Sequence, residues 1–175
     1  MIVEKKRLVQ IVVPAVILII IASIWWTKSS NSKSKPPVDD SWPPLEITTV
    51  DLEEIKGKGL PVMISFGSES CIPCRQMAPA LEKIYGEMRG KAVIHYMDVW
   101  KYPDAGRVFP LQVIPTQFFF TANGEPYRPS EELAEKIPFI MYKTKDPDEH
   151  IFTAHEGGLT VDQMRAILID MGVTQ

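Results

Sequence analysis

The chain has 175 residues, 45% hydrophobic, 23% charged and 9% aromatic, a balance that excludes a wholly disordered, collagen-like or multi-span membrane protein. Two cysteines are too few for a disulfide-stapled miniature, and 15 prolines against 10 glycines call for prominent turns and an extended linker. The net charge of −3 hides an asymmetry: six of the 19 basic residues but one of the 22 acidic residues precede Val38, leaving 13 against 21, a formal −8 that will not seek nucleic acid.

Residues 1–7 are a short basic N-terminus. Residues 8–26, from Leu8 to Trp26, carry no charge, and as a helix they would span about 28 Å, close to the hydrocarbon thickness of a bilayer. Lys5, Lys6 and Arg7 precede the span, and Trp25 and Trp26 close it where interfacial indoles sit. The predicted element is an uncleaved single-pass transmembrane anchor. A cleaved signal peptide is the competing reading, but it puts the bulky Ile24, Trp25 and Trp26 where small cleavage-site residues belong. Lys28, Lys33 and Lys35 nearly match the basic residues on the near side, so charge orients the helix weakly. The long following domain is expected outside the cytoplasm, at the cell membrane. Residues 27–44, polar and then proline-rich, read as a semi-extended tether.

Residues 45–175 alternate strand-like and helix-like segments without internal repeats. Ile47–Val50 is a short β-branched run, and Asp51 opens a brief helix that ends at Gly57. Pro61–Phe66, continuously apolar, predicts a strand buried on both faces. Met77, Leu81, Ile84, Tyr85 and Met88 recur at helical spacing. Ala92–Val99 predicts a strand, Pro103–Phe109 a short helix, and Thr116–Thr121 an aromatic strand turned by Asn123-Gly124. Thr160 and Gln163 form a capping box before a final helix carrying Met164, Ile167, Leu168 and Met171. The order implies an α/β fold with helices on both faces of a sheet.

Both cysteines lie in Glu69-Ser70-Cys71-Ile72-Pro73-Cys74-Arg75, between the buried strand and the long helix. Two intervening residues let the sulfurs meet in a bond, and the helix start directs free N–H groups at the first sulfur. Cys71 is thereby the better nucleophile, and Cys74, one turn on, the resolving thiol. Three other readings stand beside this one. Zinc needs two further ligands, and His95, His150 and His155 are too scattered for a finger. A purely structural disulfide across so short a loop adds little stability. Copper delivery through both thiols and a histidine such as His155 is the third.

The wider context resembles the thioredoxin family over about Ile47 to Gly172. The resemblance rests on the strand Val62–Phe66, the pair Cys71 and Cys74, Pro79 in the helix, Ile114-Pro115-Thr116, Asn123-Gly124 and Gly157-Gly158-Leu159-Thr160. It implies a central mixed sheet flanked by helices and a cis Ile114-Pro115 peptide. It also implies a substrate surface that includes Ile72, Pro73, Ile114 and Pro115, with no cofactor or metal beyond the redox-active cysteines. Three features depart from the family pattern. Ser65 and Tyr96 stand where the family has a buried Asp and its Lys partner, and losing both charges together is coherent because half a buried ion pair is costly. Ser70 replaces a Trp common before the first cysteine. About 25 residues, roughly 126–150, are inserted before the last strand, with a short helix at Ser130–Lys136 and strands at Phe139–Thr144 and His150–His155. This insertion reads either as a partner-docking surface or as an edge extension of the sheet. The functional expectation is a membrane-tethered, extracytoplasmic thiol-disulfide oxidoreductase acting on protein substrates. It would be a reductant fed by a transmembrane thiol-reductase partner, for instance in cytochrome c maturation. A disulfide-forming oxidant and a non-enzymatic copper metallochaperone are the alternatives.

Overall fold

The computed structural model describes residues 42–104 and 106–174. The basic N-terminus, the predicted anchor and the linker up to residue 41 lie outside the described residues. No helix among the described residues is long and apolar enough to cross a membrane. Five strands, β1 (Val62–Gly67), β2 (Val93–Asp98), β3 (Thr116–Phe120), β4 (Ile140–Lys143) and β5 (His150–Glu156), form one sheet in the order β2-β1-β3-β5-β4. β1 runs parallel to β2, and every other pairing is antiparallel, giving the expected mixed sheet. Four helices accompany it: α1 (Leu52–Lys56), α2 (Ile72–Glu87), α3 (Glu131–Lys136) and α4 (Val161–Asp170).

All six residues of β1 are buried, as the continuous apolar run predicts. Its alternation is between two cores rather than between core and water. Val62, Ile64 and Phe66 join Val93, Met97 and Phe118 on one face. Met63 joins Ile94 and Phe119 on the other, under the inner sides of α2 and α4. The caps read from the sequence form: Asp51 Oδ1 accepts the Glu53 and Glu54 N–H groups at 3.0 and 3.1 Å, Ser130 caps α3, and Thr160 and Gln163 close their box.

Two expectations are corrected. The described residues of Pro103–Phe109 make successive turns, not a helix. Arg107 N–H donates to Asp104 and Phe109 N–H to Gly106, each three residues back. A Cβ on Gly106 would sit 3.4 Å from Val99, just past β2, and 4.0 Å from the Phe66 ring of β1, so this chain lies directly against the sheet, where a helix would stand off. The second face is therefore covered by α1 and irregular chain rather than by a second long helix. Ile47–Val50 is also not a strand. Pairing occurs slightly earlier, where Tyr96 N–H donates to Leu45 (2.6 Å) and Ile47 N–H to Tyr96 (2.9 Å), before the chain bends at Thr48-Thr49 into the α1 cap.

The inserted segment forms α3 and β4 as read, and β4 extends the open edge of the sheet. Asp170 of α4 ties the segment down by accepting the Tyr127 hydroxyl and, at 3.0 Å, the Ser130 N–H. Opposite, the last residues of the proline-rich stretch lie against the domain. Tyr85 donates to the Pro43 carbonyl at 2.9 Å, and His95 Nδ1 is 2.8 Å from that of Pro44.

Candidate active site

Cys71 is the N-cap of α2, in extended backbone (φ −83°, ψ 122°), with Ile72 and Pro73 in the first helical turn, where a proline's missing N–H costs nothing. Cys71 and Cys74 are disulfide-bonded, with Cα atoms 5.3 Å apart. The Cys74 N–H donates to Cys71 Sγ at 3.3 Å. That donor and the helix dipole lie on the first sulfur, so negative charge formed there on reduction is stabilised. Cys71 is 9% and Cys74 5% exposed, whereas Ile72 between them is 61% exposed.

The Ile114-Pro115 peptide is cis, as the family resemblance implies. It stands across from the first cysteine, with Cys71 Sγ 3.8 Å from the Ile114 carbonyl oxygen. In the disulfide this is a contact only, since that sulfur has no hydrogen to donate. The Pro115 carbonyl accepts the Gly157 N–H at 2.8 Å, joining β3 to the chain that leads into α4. The structure thus brings together every residue expected at the site: Cys71, Cys74, Ile72, Pro73, Ile114 and Pro115.

Sequence reasoning passed over three neighbours. Gly67 lies directly beneath Cys74: a Cβ there would stand 2.9 Å from the Tyr96 ring and 3.4 Å from Cys74 Sγ, closer than the ring tolerates. Asp98, 5% exposed, ends β2 and accepts the N–H groups of Glu69 (3.0 Å), Trp100 (2.9 Å) and Lys101 (3.0 Å). Burial alone would raise its pKa, but these three donors outweigh that and hold the carboxyl below its ordinary value. One carboxylate therefore pins the loop before Cys71 to the loop carrying Trp100, a linkage for which the sequence offered only an acidic residue at a strand end. The third neighbour is Gln117, a buried amide that stands second in β3, between Thr116 and three phenylalanines.

Ser65 and Tyr96, the two departures from the family pattern, are register partners on β1 and β2. Ser65 has no exposure, and its hydroxyl has no hydrogen-bond partner among the described residues. Burial, reinforced by the charges of Asp98, Glu69 and Glu46, pushes the Tyr96 phenol up to about 12, so it remains neutral. A cleft of about 130 Å³ lined by Leu45, Cys74, Met77, Leu81 and Tyr96 opens beside the second cysteine.

The thioredoxin family model matches residues 48–141. The thioredoxin of Staphylococcus saprophyticus is 37% identical over 81 residues, 43% of this chain and 77% of that protein. The thioredoxin of Listeria monocytogenes is 40% identical over 99 residues, 53% of this chain and 93% of that one. The crystal structure of chloroplastic thioredoxin z superposes with a TM-score of 0.47 at 20% identity, covering 74% of this chain and 96% of that one. With a redox disulfide capping α2 and these relatives across the surrounding domain, the chain belongs to the thioredoxin family and is a thiol-disulfide oxidoreductase.

Proposed function

We infer that the protein is a membrane-tethered reductant of extracytoplasmic protein disulfides, with residues 8–26 as its single-pass anchor and residues 45–175 as its catalytic domain. Cys71 attacks the client disulfide, and Cys74 attacks Cys71 Sγ in the resulting mixed disulfide and releases the reduced client. Ile72, Pro73, Ile114 and Pro115 form the surface that receives the client chain around the attacked bond. The observation that carries the reading is the cap itself, a first sulfur that accepts the Cys74 N–H beside the Ile114 carbonyl. The oxidised enzyme is recharged by a transmembrane thiol-reductase partner. The uncharged N-terminal span supports that placement, and apocytochrome c is one client class it suits.

The experiment is substrate trapping with the full chain in membranes. Cys74→Ser should accumulate mixed disulfides with proteins outside the cytoplasm, and Cys71→Ser should trap nothing. Trapping by Cys71→Ser alone would reverse the roles. Release of a shortened soluble species by alkaline carbonate would remove the anchor from the reading. A measured Cys71/Cys74 potential above that of the surrounding compartment would make the protein an oxidant.

A further inference from the structure

Tyr96, Ser65, Gln117 and His155 are register partners across β2, β1, β3 and β5 and make a polar row on the sheet face beneath α2. At the Tyr96 end of that row lies the cleft of about 130 Å³ that opens beside Cys74. Its inner wall is formed by Cys74, Met77 and Leu81 of α2, all buried. Leu45, the Tyr96 ring and Ala78 complete the sides. The Leu45 wall is fixed, because Tyr96 N–H donates to the Leu45 carbonyl at 2.6 Å and Ile47 N–H to Tyr96 at 2.9 Å. Ser68, the buried hydroxyl of the lining, already accepts the Ser70 N–H at 3.2 Å. A cavity of about 150 Å³ with aliphatic and aromatic walls stays dry and takes up benzene. By that measure one isobutyl or phenyl group fills this cleft.

The cleft lies within reach of a client held on Cys71. Cys74 belongs to its wall, and the Cα atoms of Cys71 and Cys74 are 5.3 Å apart. In an extended client the residue two places from the reacting cysteine presents its side chain on the same face, about 7 Å along the chain. Charge around the opening is uneven. Glu69 is paired with Lys101, and Arg75 reaches back to the Glu69 carbonyl at 3.4 Å. Glu46 and Glu82, both exposed, enter no ion pair among the described residues. The negative charge they leave at the opening suits a basic residue beside the apolar one.

We propose that this cleft is a client-specificity pocket, which takes a leucine or phenylalanine side chain two residues from the client's reacting cysteine and favours a lysine or arginine next to it. The proposal rests on the client-reducing role of Cys71 and Cys74 given above. Seating that side chain buries apolar surface of client and cleft together. The pocket makes the same contact before and during attack, and the bond changes stay with the sulfurs. Its effect therefore falls on KM rather than on kcat.

Disulfide-linked dimers of short peptides test the pocket. Each peptide carries one cysteine, leucine or glycine two residues to its N-terminal or its C-terminal side, and lysine or glutamate beside that position. The full chain in lipid nanodiscs, reduced beforehand, should turn over the leucine dimers of one series with kcat/KM about tenfold or more above the glycine dimers, the difference lying in KM. Ala78→Phe, at an exposed position, places a ring in the cleft and should bring that ratio close to one with the denaturant midpoint in place. Leu45→Ala widens the cleft and should shift the preference from leucine toward phenylalanine. Glu46→Gln should lower the preference for lysine over glutamate by about twofold. Equal handling of leucine and glycine dimers by the parent, or a leucine preference that survives Ala78→Phe in a folded protein, overturns the pocket. A dimer of the parent chain in sedimentation that Ala78→Phe dissociates assigns the cleft to a second copy and overturns it too. If the parent reduces none of the peptides the underlying reducing role falls, whereas reduction without side-chain preference removes only the pocket.

Discussion

Ile64 and Ser65 are neighbours on β1, both with no exposed surface, and they look into different interiors. On the Ile64 face aromatic rings pack ring to ring, with Phe109 at 4.7 Å from both Phe66 and Phe118 and Phe152 at 5.7 Å from Phe118. On the Ser65 face a row of hydroxyls, an amide and an imidazole runs beneath the redox helix. The aromatic face is covered mostly by irregular chain and the polar face by the two long helices. Helical order and polar placement thus go together on the side where geometry must be held, while bulk apolar area secures the side where coverage is loose.

The comparison can be broken most severely on the aromatic face. Phe118→Ala removes a fully buried ring with several aromatic neighbours and should cost about 3–5 kcal/mol, read by denaturant melting. A loss below about 1 kcal/mol would mean that this face collapses freely around a void. On the polar face, Ser65→Asp buries a carboxyl opposite a neutral tyrosine and should cost roughly 1–3 kcal/mol. Its folded pKa lies above the unfolded value, so the penalty is small in acid and develops as pH rises from the unfolded pKa toward the folded one. Tyr96→Lys should recover part of that loss as a coupling energy in a double-mutant cycle. A pH-independent loss with no coupling would show that the two positions do not share an environment.

Asp98 sharpens the contrast from the other side, as a buried charge that is fully partnered. Asp98→Asn exchanges one acceptor oxygen for a donor and should cost about 1–2 kcal/mol. The parent carboxyl's folded pKa is depressed, so its contribution is present above the unfolded pKa of about 4 and is lost as pH falls through the folded value. The stability difference between parent and variant should therefore shrink in acid. Least affected is the exposed edge: Met141→Thr on β4 should stay within about 0.5 kcal/mol of the parent.

The polar row also shows how far residue patterns reach. Ser65 and Tyr96 can be paired from the sequence because each sits at a fixed distance along its strand from a recognisable motif. Gln117 and His155 cannot, since only the β3–β5 register brings them into line, and that register follows a long insertion whose length carries no pairing information. His155, weighed from sequence as a copper ligand, lies on β5 with its Nδ1 2.9 Å from the Pro138 carbonyl. The turns at Pro103–Phe109 were misread for a related reason, because spacing of apolar residues does not tell a short helix from consecutive turns pressed against a sheet. The caps at Asp51, Ser130 and Thr160 were legible because their chemistry is local.

The stretch from Pro43 to Ile47 gives the domain a mechanical character. A pull from the N-terminal side reaches the described residues first at α2, where Tyr85 holds the Pro43 carbonyl, and then at the outer edge of β2, where His95 and Tyr96 hold the Pro44 and Leu45 carbonyls and the Ile47 N–H. Loaded from one end, such contacts open one after another, as a zip does, rather than sharing the force. The edge segment would peel away first, before tension reached β1 and the cysteines at its end.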